Sequence, residues 1–140
     1  MLTLKQINLA ISNLIFGKFP ELKIQSSDVK GGFNRPSFFV KLDNPSRDTG
    51  LHTVERSMTV RILYFPESRN DYALELMDVQ DQLESAFNLN ISVGDRIITI
   101  EETRAQVIDG VLEFEFDLEF TEAVEIVDDS ELMEELELGT

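Results

Sequence analysis

The stretch "GVLEFEFDLEF", residues 110–120, decides the fold class, because apolar and acidic residues alternate in it without a break from Leu112 onward. An alternation with a period of two predicts a β-strand that has one buried face and one face in water. The apolar face consists of Leu112, Phe114, Phe116, Leu118 and Phe120. The opposite face carries four carboxylates that we call the acidic row, namely Glu113, Glu115, Asp117 and Glu119.

The residues before this strand predict that it is the second half of a β-hairpin. Asp109 and Gly110 have the preferred chemistry for a two-residue type I′ turn. A turn at these positions sets a register with Ile108 opposite Val111, Gln106 opposite Glu113, Arg104 opposite Glu115, and Glu102 opposite Asp117. Within the hairpin only Arg104 offers a cation to the acidic row, and Lys41 and Arg61 are candidates from earlier strands.

The spacing of the acidic row limits where it can lie. Carboxylates two positions apart on a strand are separated by about 7 Å. Such a pair repels by about 0.6 kcal/mol in water and by about 2.4 kcal/mol at an effective dielectric of 20. The row must therefore be wet or be neutralised by a partner. It is either a solvated sheet face, or a surface that repels or guides polyanions or meets a basic partner, and the row alone leaves both readings open.

The first 66 residues predict one helix followed by strands. Thr3 and Gln6 form a capping box for a helix that stops near Gly17. Strands are expected within 21–29, over 37–42 and over 56–65, the last with an apolar face of Met58, Val60, Ile62 and Tyr64. Residues 43–55 are rich in turn formers and charge, and we expect an exposed, mobile loop there.

A second helix and two hairpins complete the expected order. Asn70 or Asp71 can cap the helix, whose apolar stripe is Tyr72, Leu76, Met77, Val79, Leu83, Ala86 and Phe87. Residues 90–102 predict two short strands around a Gly94–Asp95 turn. The fold class is α+β, with an antiparallel β-sheet flanked by two helices. Residues 1–126 form a single domain, and residues 127–140 form an acidic C-terminal extension.

Composition and motifs argue against several classes of function. A net charge of -15 opposes binding to the nucleic-acid backbone or to an anionic membrane, and the absence of cysteine fits a cytosolic protein. The single histidine, His52, lies in the expected loop, and a uniform row of carboxylates does not give two acids different pKa values. Glu75, Asp78 and Asp81 have a spacing that could hold a divalent cation, but solvated helix faces share it. We expect no catalytic, metal or cofactor site.

Three basic residues on turns and loops are candidates for contacts with an acidic partner. They are Lys30, Arg35 and Arg47. In a head-to-tail assembly of identical subunits, a basic loop of one copy can dock on an acidic face of the next, and such contacts close into rings when the rotation permits. Plain solvation of these side chains is the competing interpretation.

Several segments together resemble the small tail terminator proteins of tailed phages and prophages of Gram-positive bacteria, including bacteriocin-like contractile tails. The resemblance covers nearly the whole chain and rests on residues 19–42, 59–66, 93–100, 109–120 and 131–138. Its most specific parts are "DVKGGFNRPSFFV" (28–40) and "ELMEELEL" (131–138). The family fold that it implies is a small α+β domain, an antiparallel sheet with flanking helices.

The resemblance implies a structural protein without catalysis or cofactor. It implies a ring, usually of six copies, that caps the last ring of the tail tube, stops tube growth and joins the neck connector. In contractile tails the ring also helps to anchor the sheath. The protein would belong to the virion tail and assemble in the host cytoplasm, with DNA passing through a negatively lined channel. Docking on a neighbouring subunit is the implied use of Leu132, Met133, Leu136 and Leu138.

Two other classes of function stay open on sequence alone. A head–tail connector or tail completion protein has similar size and fold tendencies. A monomeric acidic inhibitor that mimics DNA would also be strongly negative, although the apolar residues of the C-terminal segment and the basic turns argue against it.

Overall fold

A computed structural model of the chain describes residues 1–21, 23–25, 36–67 and 71–123. Along the chain the elements are α1 (Leu4–Lys18), β1 (Lys23–Gln25), β2 (Ser37–Thr49), β3 (Thr53–Phe65), α2 (Ala73–Ala86), β4 (Asn90–Val93), β5 (Arg96–Thr99), β6 (Thr103–Ile108) and β7 (Val111–Ala123). The α+β class with two helices is confirmed. The expected extension at 127–140 lies outside the described residues.

The main sheet has five strands in the order β1-β2-β3-β7-β6, and β4 and β5 form a separate two-stranded sheet. Pairing is antiparallel from β2 to β6, while β1 pairs with β2 in parallel at the edge. The centre of the sheet is the long pair β3–β7, which runs from Thr53 opposite Ala123 to Tyr64 opposite Leu112. Both strands alternate in side-chain direction, so this pair defines an inner apolar face and an outer polar face.

The hairpin predicted from the alternation is confirmed in its turn and register. Asp109 and Gly110 have φ values of 52° and 76°, as a type I′ turn requires. Arg104 lies opposite Glu115, and Ile108 lies opposite Val111. Leu112, Phe114, Phe116 and Leu118 are fully buried, whereas Phe120 is only partly buried.

The prediction of a mobile loop at 43–55 is wrong. Strand β2 continues to Thr49, and β3 begins at Thr53, so this segment is a β-hairpin arm. The register shifts between Asp43 and Ser46, and Asn44 has a φ of 51°. The turn-forming pair Asn44–Pro45 therefore makes a β-bulge inside a strand, which is one of the few places where a sheet accepts proline.

The two helices pack on the inner face of the sheet. The capping box at Thr3 is confirmed, since its hydroxyl accepts from the Gln6 amide and the Gln6 side chain accepts from the Thr3 amide. Helix α1 contacts β2, β4 and α2, and α2 contacts β7. Below the helices, the Phe87 ring lies 5.1 Å from that of Phe116 and 6.2 Å from that of Phe114. Burying each of these rings stabilises the fold by roughly 1.5–3 kcal/mol.

The start and one apolar position of α2 differ from the prediction. Its N-cap is Tyr72, which makes no side-chain cap hydrogen bond, so Asp71 is not the cap, and Asn70 lies outside the described residues. Met77 is 62% exposed rather than buried, because the helix turns only Leu76, Val79 and Leu83 fully toward the core. Neither described helix has the length and apolar content needed to cross a lipid bilayer.

The turn at Gly110 requires a residue without a side chain, and this requirement can be tested by substitution. A β-carbon at this position would lie 3.2 Å from the Tyr72 ring, on a residue held at positive φ. We expect Gly110→Ala to lower the free energy of unfolding by about 1–2 kcal/mol, as measured by urea titration.

Gly17→Ala is the matched control for this substitution. Gly17 lies in the last turn of α1, and a β-carbon there meets no atom within 4 Å. We expect this variant to gain about 0.5–1 kcal/mol. Equal effects of the two substitutions would contradict the conformational explanation.

Candidate assembly surface

The acidic row lies on the outer face of the sheet, on the side opposite the helices and the core. Its neighbours on that face come from β3 and β6, because Arg61 and Arg104 lie opposite Glu115 on either side. Glu113 and Glu115 are half-buried by these neighbours, while Asp117 and Glu119 are exposed. The row is therefore uneven in its environment, although its sequence is uniform.

Glu115 is held between two arginines. Arg61 Nε lies 3.0 Å from Glu115 Oε2, and Arg104 Nε lies 3.2 Å from Glu115 Oε1. Each carboxylate oxygen thus accepts one charge-assisted hydrogen bond. Of the two candidate cations from the earlier strands, Arg61 makes this contact, and no ion pair of Lys41 occurs among the described residues.

The same arginines reach further carboxylates on either side. Arg61 Nη1 lies 3.4 Å from Asp43 Oδ2, and Arg104 Nη2 lies 3.5 Å from Asp117 Oδ1. Thr59 Oγ1 also donates to Asp117 at 2.8 Å. Burial alone would lower the pKa of Arg104, but its hydrogen bonds with Glu115 and Asp117 and their charges raise it above the ordinary value. The outcome is a chain of alternating charge that crosses four strands.

Carboxylates remain in excess at one end of the row. Glu102 precedes β6, and its carboxylate lies 4.0 Å from Arg104. An open cleft of about 190 Å³ forms at this end, lined by Thr99, Glu101, Glu102, Arg104, Asp117 and Glu119. One arginine faces four carboxylates in it, so this part of the surface needs water or a partner to offset its charge.

A second charged cluster, which we call the terminal knot, was not predicted from the sequence. Glu122 is only 5% exposed, and its Oε2 accepts from the Leu2 amide at 2.9 Å. Its Oε1 lies 3.1 Å from Arg56 Nη1, which also donates to the Leu2 carbonyl. The knot therefore ties Leu2, which precedes the N-cap of α1, to strands β3 and β7.

Phe120 completes the terminal knot as an aromatic platform. The guanidinium carbons of Arg56 and Arg96 lie 5.6 Å and 5.7 Å from the centre of its ring, within the range of a cation–π interaction. Arg96 also donates to the Thr121 carbonyl. The sequence did hold a signal for the knot, because continuing the alternation past Phe120 puts Glu122 on the buried face, where a charge needs a partner.

The charge of Glu122 is stabilised in the folded state. Burial alone would raise the pKa of this carboxyl, but the hydrogen bond from the Leu2 amide, the hydrogen bond from Arg56 and its positive charge together lower the pKa below its ordinary value. A carboxyl with a lowered folded-state pKa stabilises the fold above its unfolded-state pKa. That contribution is lost as the pH falls through the folded-state pKa.

The other predicted contact residues fall into two groups. Arg47 lies on the hairpin arm, where its Nη2 lies 3.0 Å from the sulfur of Met1. The remaining six lie outside the described residues: Lys30, Arg35, Leu132, Met133, Leu136 and Leu138. The structure thus brings Arg47 next to the terminal knot and does not test the others.

The residues that were considered as candidates for catalysis or metal binding lie in separate parts of the described structure. His52 is exposed at the turn between β2 and β3. Glu75, in the first turn of α2, accepts hydrogen bonds from the Tyr64 hydroxyl and from the Glu67 amide. These contacts connect the start of α2 to the end of β3. Burial and the hydrogen bond with Glu75 raise the pKa of Tyr64. Within the described ranges, no group of three or more His, Cys, Asp or Glu could hold a metal ion.

Comparison with known proteins identifies the family. The model of a phage tail terminator protein family matches residues 6–130, which is most of the chain. The chain therefore belongs to the phage tail terminator family and is a structural protein of the phage tail. A comparison with curated protein sequences finds no match.

A solved structure has a similar fold. It is a chain in the virion of a native gene transfer agent particle, with a TM-score of 0.55 and 4% sequence identity. The similarity covers 84% of this chain and 95% of that one. At this identity the match supports the fold alone, and it agrees with the α+β architecture described above.

Removing the charge of Glu122 tests the terminal knot. We expect Glu122→Gln to lower the free energy of unfolding by about 2 kcal/mol at pH 7, because hydrogen bonds to a buried charge are lost. The difference from the unaltered chain should shrink as the pH falls through the folded-state pKa, since the unaltered carboxyl then becomes neutral too. Urea titrations over a series of pH values measure this.

Glu119→Gln is the control for this prediction. It removes the same charge from the same strand at an exposed position, so we expect a change within about 0.5 kcal/mol at every pH. A loss for Glu122→Gln that does not vary with pH would contradict the account based on its charge.

Proposed function

We propose that this protein forms a ring, most simply of six copies, on the head-proximal end of the tail tube. The ring stops polymerisation of the tube and offers the surface on which the neck is joined. The observation that carries the proposal is membership of the tail terminator family over residues 6–130.

We further propose that the acidic row faces the channel through which DNA passes. Four carboxylates line the open cleft at the end of the row, Glu119 among them, and only Arg104 lines it with them. Such an excess needs water or a basic partner to offset it, and a wide aqueous channel supplies the water. The same excess repels the phosphate backbone, so DNA would slide through without binding.

The proposed partners follow from the position of a ring between tube and neck. They are further copies of this chain, the tail tube protein, the neck or connector protein and, in a contractile tail, the sheath. Lys30, Arg35 and Arg47 are the proposed contacts to acidic surfaces of these partners, and Leu132, Met133, Leu136 and Leu138 the proposed contacts to a neighbouring copy. Assembly would take place in the cytoplasm of the host bacterium.

Tube length is the direct test of the proposal. We expect the cognate tube protein, polymerised with this chain, to give shorter tubes that carry a ring at one end in negative-stain micrographs. The reason is that a bound ring blocks addition of the next tube ring. The control is polymerisation with an unrelated acidic protein of similar size and charge. Unchanged lengths and bare tube ends would overturn the terminator role and favour a connector, to be tested on portal complexes.

The channel-facing role can be tested with single cysteines, because the chain contains none of its own. Asp117→Cys places a thiol in the acidic row, and Asp81→Cys places one on the exposed side of α2. In ring-capped tubes we expect Asp117→Cys to react with a small maleimide but not with one on a polymer too large for the channel. Asp81→Cys should react with both.

The reverse pattern would assign the channel to α2 instead of the acidic row. Equal access of the large reagent to both thiols would place both outside the channel. Unassembled protein is the reference for both variants, since each thiol should react with both reagents there.

A further inference from the structure

A groove runs between helix α1 and strand β4, and we call it the α1–β4 groove. Its volume is about 470 Å³. The described residues that line it include Leu9, Ala10, Asn13 and Leu14 of α1 and Ser92 and Val93 of β4. None of its described lining residues is charged, and Leu9 is 52% exposed. Such a groove suits a partner that brings apolar side chains of its own.

The groove opens at one end onto the place where strand β7 ends. A second cleft of about 450 Å³ lies there, and Glu122 and Ala123 of β7 form part of its lining. Gln6 and Gly94 line both the cleft and the groove, so the two adjoin. The Leu2 amide donates to Glu122 at 2.9 Å, which fixes the end of β7 beside the start of α1. The chain that follows Ala123 therefore starts at the mouth of the groove.

The residues after Ala123 are long enough to fill the groove. Residues 124–140 include the C-terminal extension, and the first of its four predicted contact residues, Leu132, comes nine positions after Ala123. Nine residues span about 13 Å as a helix and about 30 Å as an extended chain. The seven positions from Gln6 to Asn13 along α1 span only about 10 Å. Leu132 can therefore reach the groove in either conformation.

The charge of the extension favours α1 over the other described surfaces. Residues 124–140 carry seven carboxylates and no basic residue. Helix α1 carries Lys5 and Lys18 and no acidic residue, whereas α2 carries four carboxylates and no basic residue. At the mouth of the groove, Arg96 adds a positive charge and Asp95 a negative one. An acidic segment is thus repelled by α2 and by the acidic row and is attracted to α1.

We propose that in the unassembled subunit the C-terminal extension lies in the α1–β4 groove of its own copy. Its apolar residues cover Leu9 and Leu14, and its carboxylates lie near the lysines of α1. Because the extension is tethered at the mouth, its effective concentration at the groove is on the order of millimolar, well above that of a second copy in dilute solution. This inference concerns the free subunit and does not rest on the proposed ring.

The docking has a consequence for assembly. The apolar residues of the extension are also the proposed contacts to a neighbouring copy, and they cannot occupy both places at once. The extension must therefore leave its own groove when copies join. Until then, the groove keeps these residues away from other copies.

Crosslinking within the cysteine-free chain tests the proposal. Asn13→Cys places a thiol in the groove, and Met133→Cys places one in the extension of the same full-length chain. The unassembled double variant is oxidised at low protein concentration and run on a non-reducing gel. We expect an intrachain disulfide, seen as a monomer of higher mobility whose thiols no longer react with maleimide.

Lys5→Cys combined with Met133→Cys is the matched control. Lys5 is exposed, lies next to Gln6 at the mouth and does not line the α1–β4 groove. An extension that moves freely would reach position 5 at least as readily as position 13, because position 5 is nearer to Ala123. We expect the disulfide to form roughly tenfold more slowly in this control. Equal rates in the two double variants would overturn the proposal.

Mixing the single variants tests whether the contact forms between copies. Linked dimers of Asn13→Cys with Met133→Cys, without an intrachain product in the double variant, would overturn the proposal in favour of docking on another copy. Absence of a disulfide in both experiments would overturn the docking altogether.

A carboxylate in the groove gives a second, independent measurement. Leu9→Glu puts a like charge beside the acidic extension at an exposed position. We expect it to slow the disulfide between positions 13 and 133 roughly tenfold. Phe16→Glu adds the same charge to α1 at a site that is 56% exposed and outside the groove, so the rate should stay unchanged. Equal rates in the presence of either substitution would contradict docking in the groove.

The oxidised double variant separates the docking from the ring. We expect it to cap tubes only after reduction, since the disulfide holds the extension in its own groove. Capping by the oxidised chain would leave the docking in place and overturn the proposed contact of the extension with a neighbouring copy. Failure of the unaltered chain to cap tubes would overturn the terminator role, while the disulfide rates would still decide the docking.

Discussion

The structure depends on the pairing of β3 with β7, which brings together residues about 60 positions apart over twelve consecutive pairs. Every other described strand of the main sheet is added to one side of this pair, with β2 beside β3 and β6 beside β7. The inner face of the pair supplies Val60, Ile62, Phe114 and Phe116, which are completely buried. Because residues alternate along both strands, the same pairing that builds the core also forces the charged side chains onto the outer face.

The outer face shows how the fold accommodates like charges in a row. Arg61 and Arg104 come from the two strands that flank β7, so the register of the sheet determines which carboxylates are offset. A slip of one residue in either strand would turn these arginines toward the core and leave Glu115 without its partners. The ion pairs are partly exposed and contribute little stability each, but they make the correct register the one with the least repulsion.

Much of this fold could be predicted from the sequence where the signals were local. The alternation at 112–120, the Asp109–Gly110 turn and the capping box at Thr3 each depend on neighbours within a few residues, and all three were confirmed. The loop expected at 43–55 was wrong because turn-forming residues also make bulges, and only pairing with β3 decides between the two. Met77 was predicted to be buried and is exposed, because the elements that pack against a helix decide how wide its buried face is.

The terminal knot could not be predicted from one stretch of sequence. Glu122, Arg56 and Leu2 are far apart in the chain, and only the completed sheet brings them together. The alternation placed Glu122 on the buried side of the sheet, but it did not indicate that Leu2 and Arg56 would be its partners. The acidic row was predicted in full, while its partial neutralisation could be assigned only in outline, since the order of the strands was not known.

The bulge at Asn44–Pro45 has a consequence for how the edge of β2 meets other chains. A strand of thirteen residues with an uninterrupted open side would be a template for adding strand after strand, which leads to aggregates without a defined end. Pro45 has no amide hydrogen to donate, and the bulge shifts the register between Asp43 and Ser46. The regular ladder of β2 is thereby divided into two runs, one that ends at Asp43 and one that begins at Ser46. The bulge thus limits how far a foreign strand could follow β2, which lowers the tendency of this side of the sheet to aggregate.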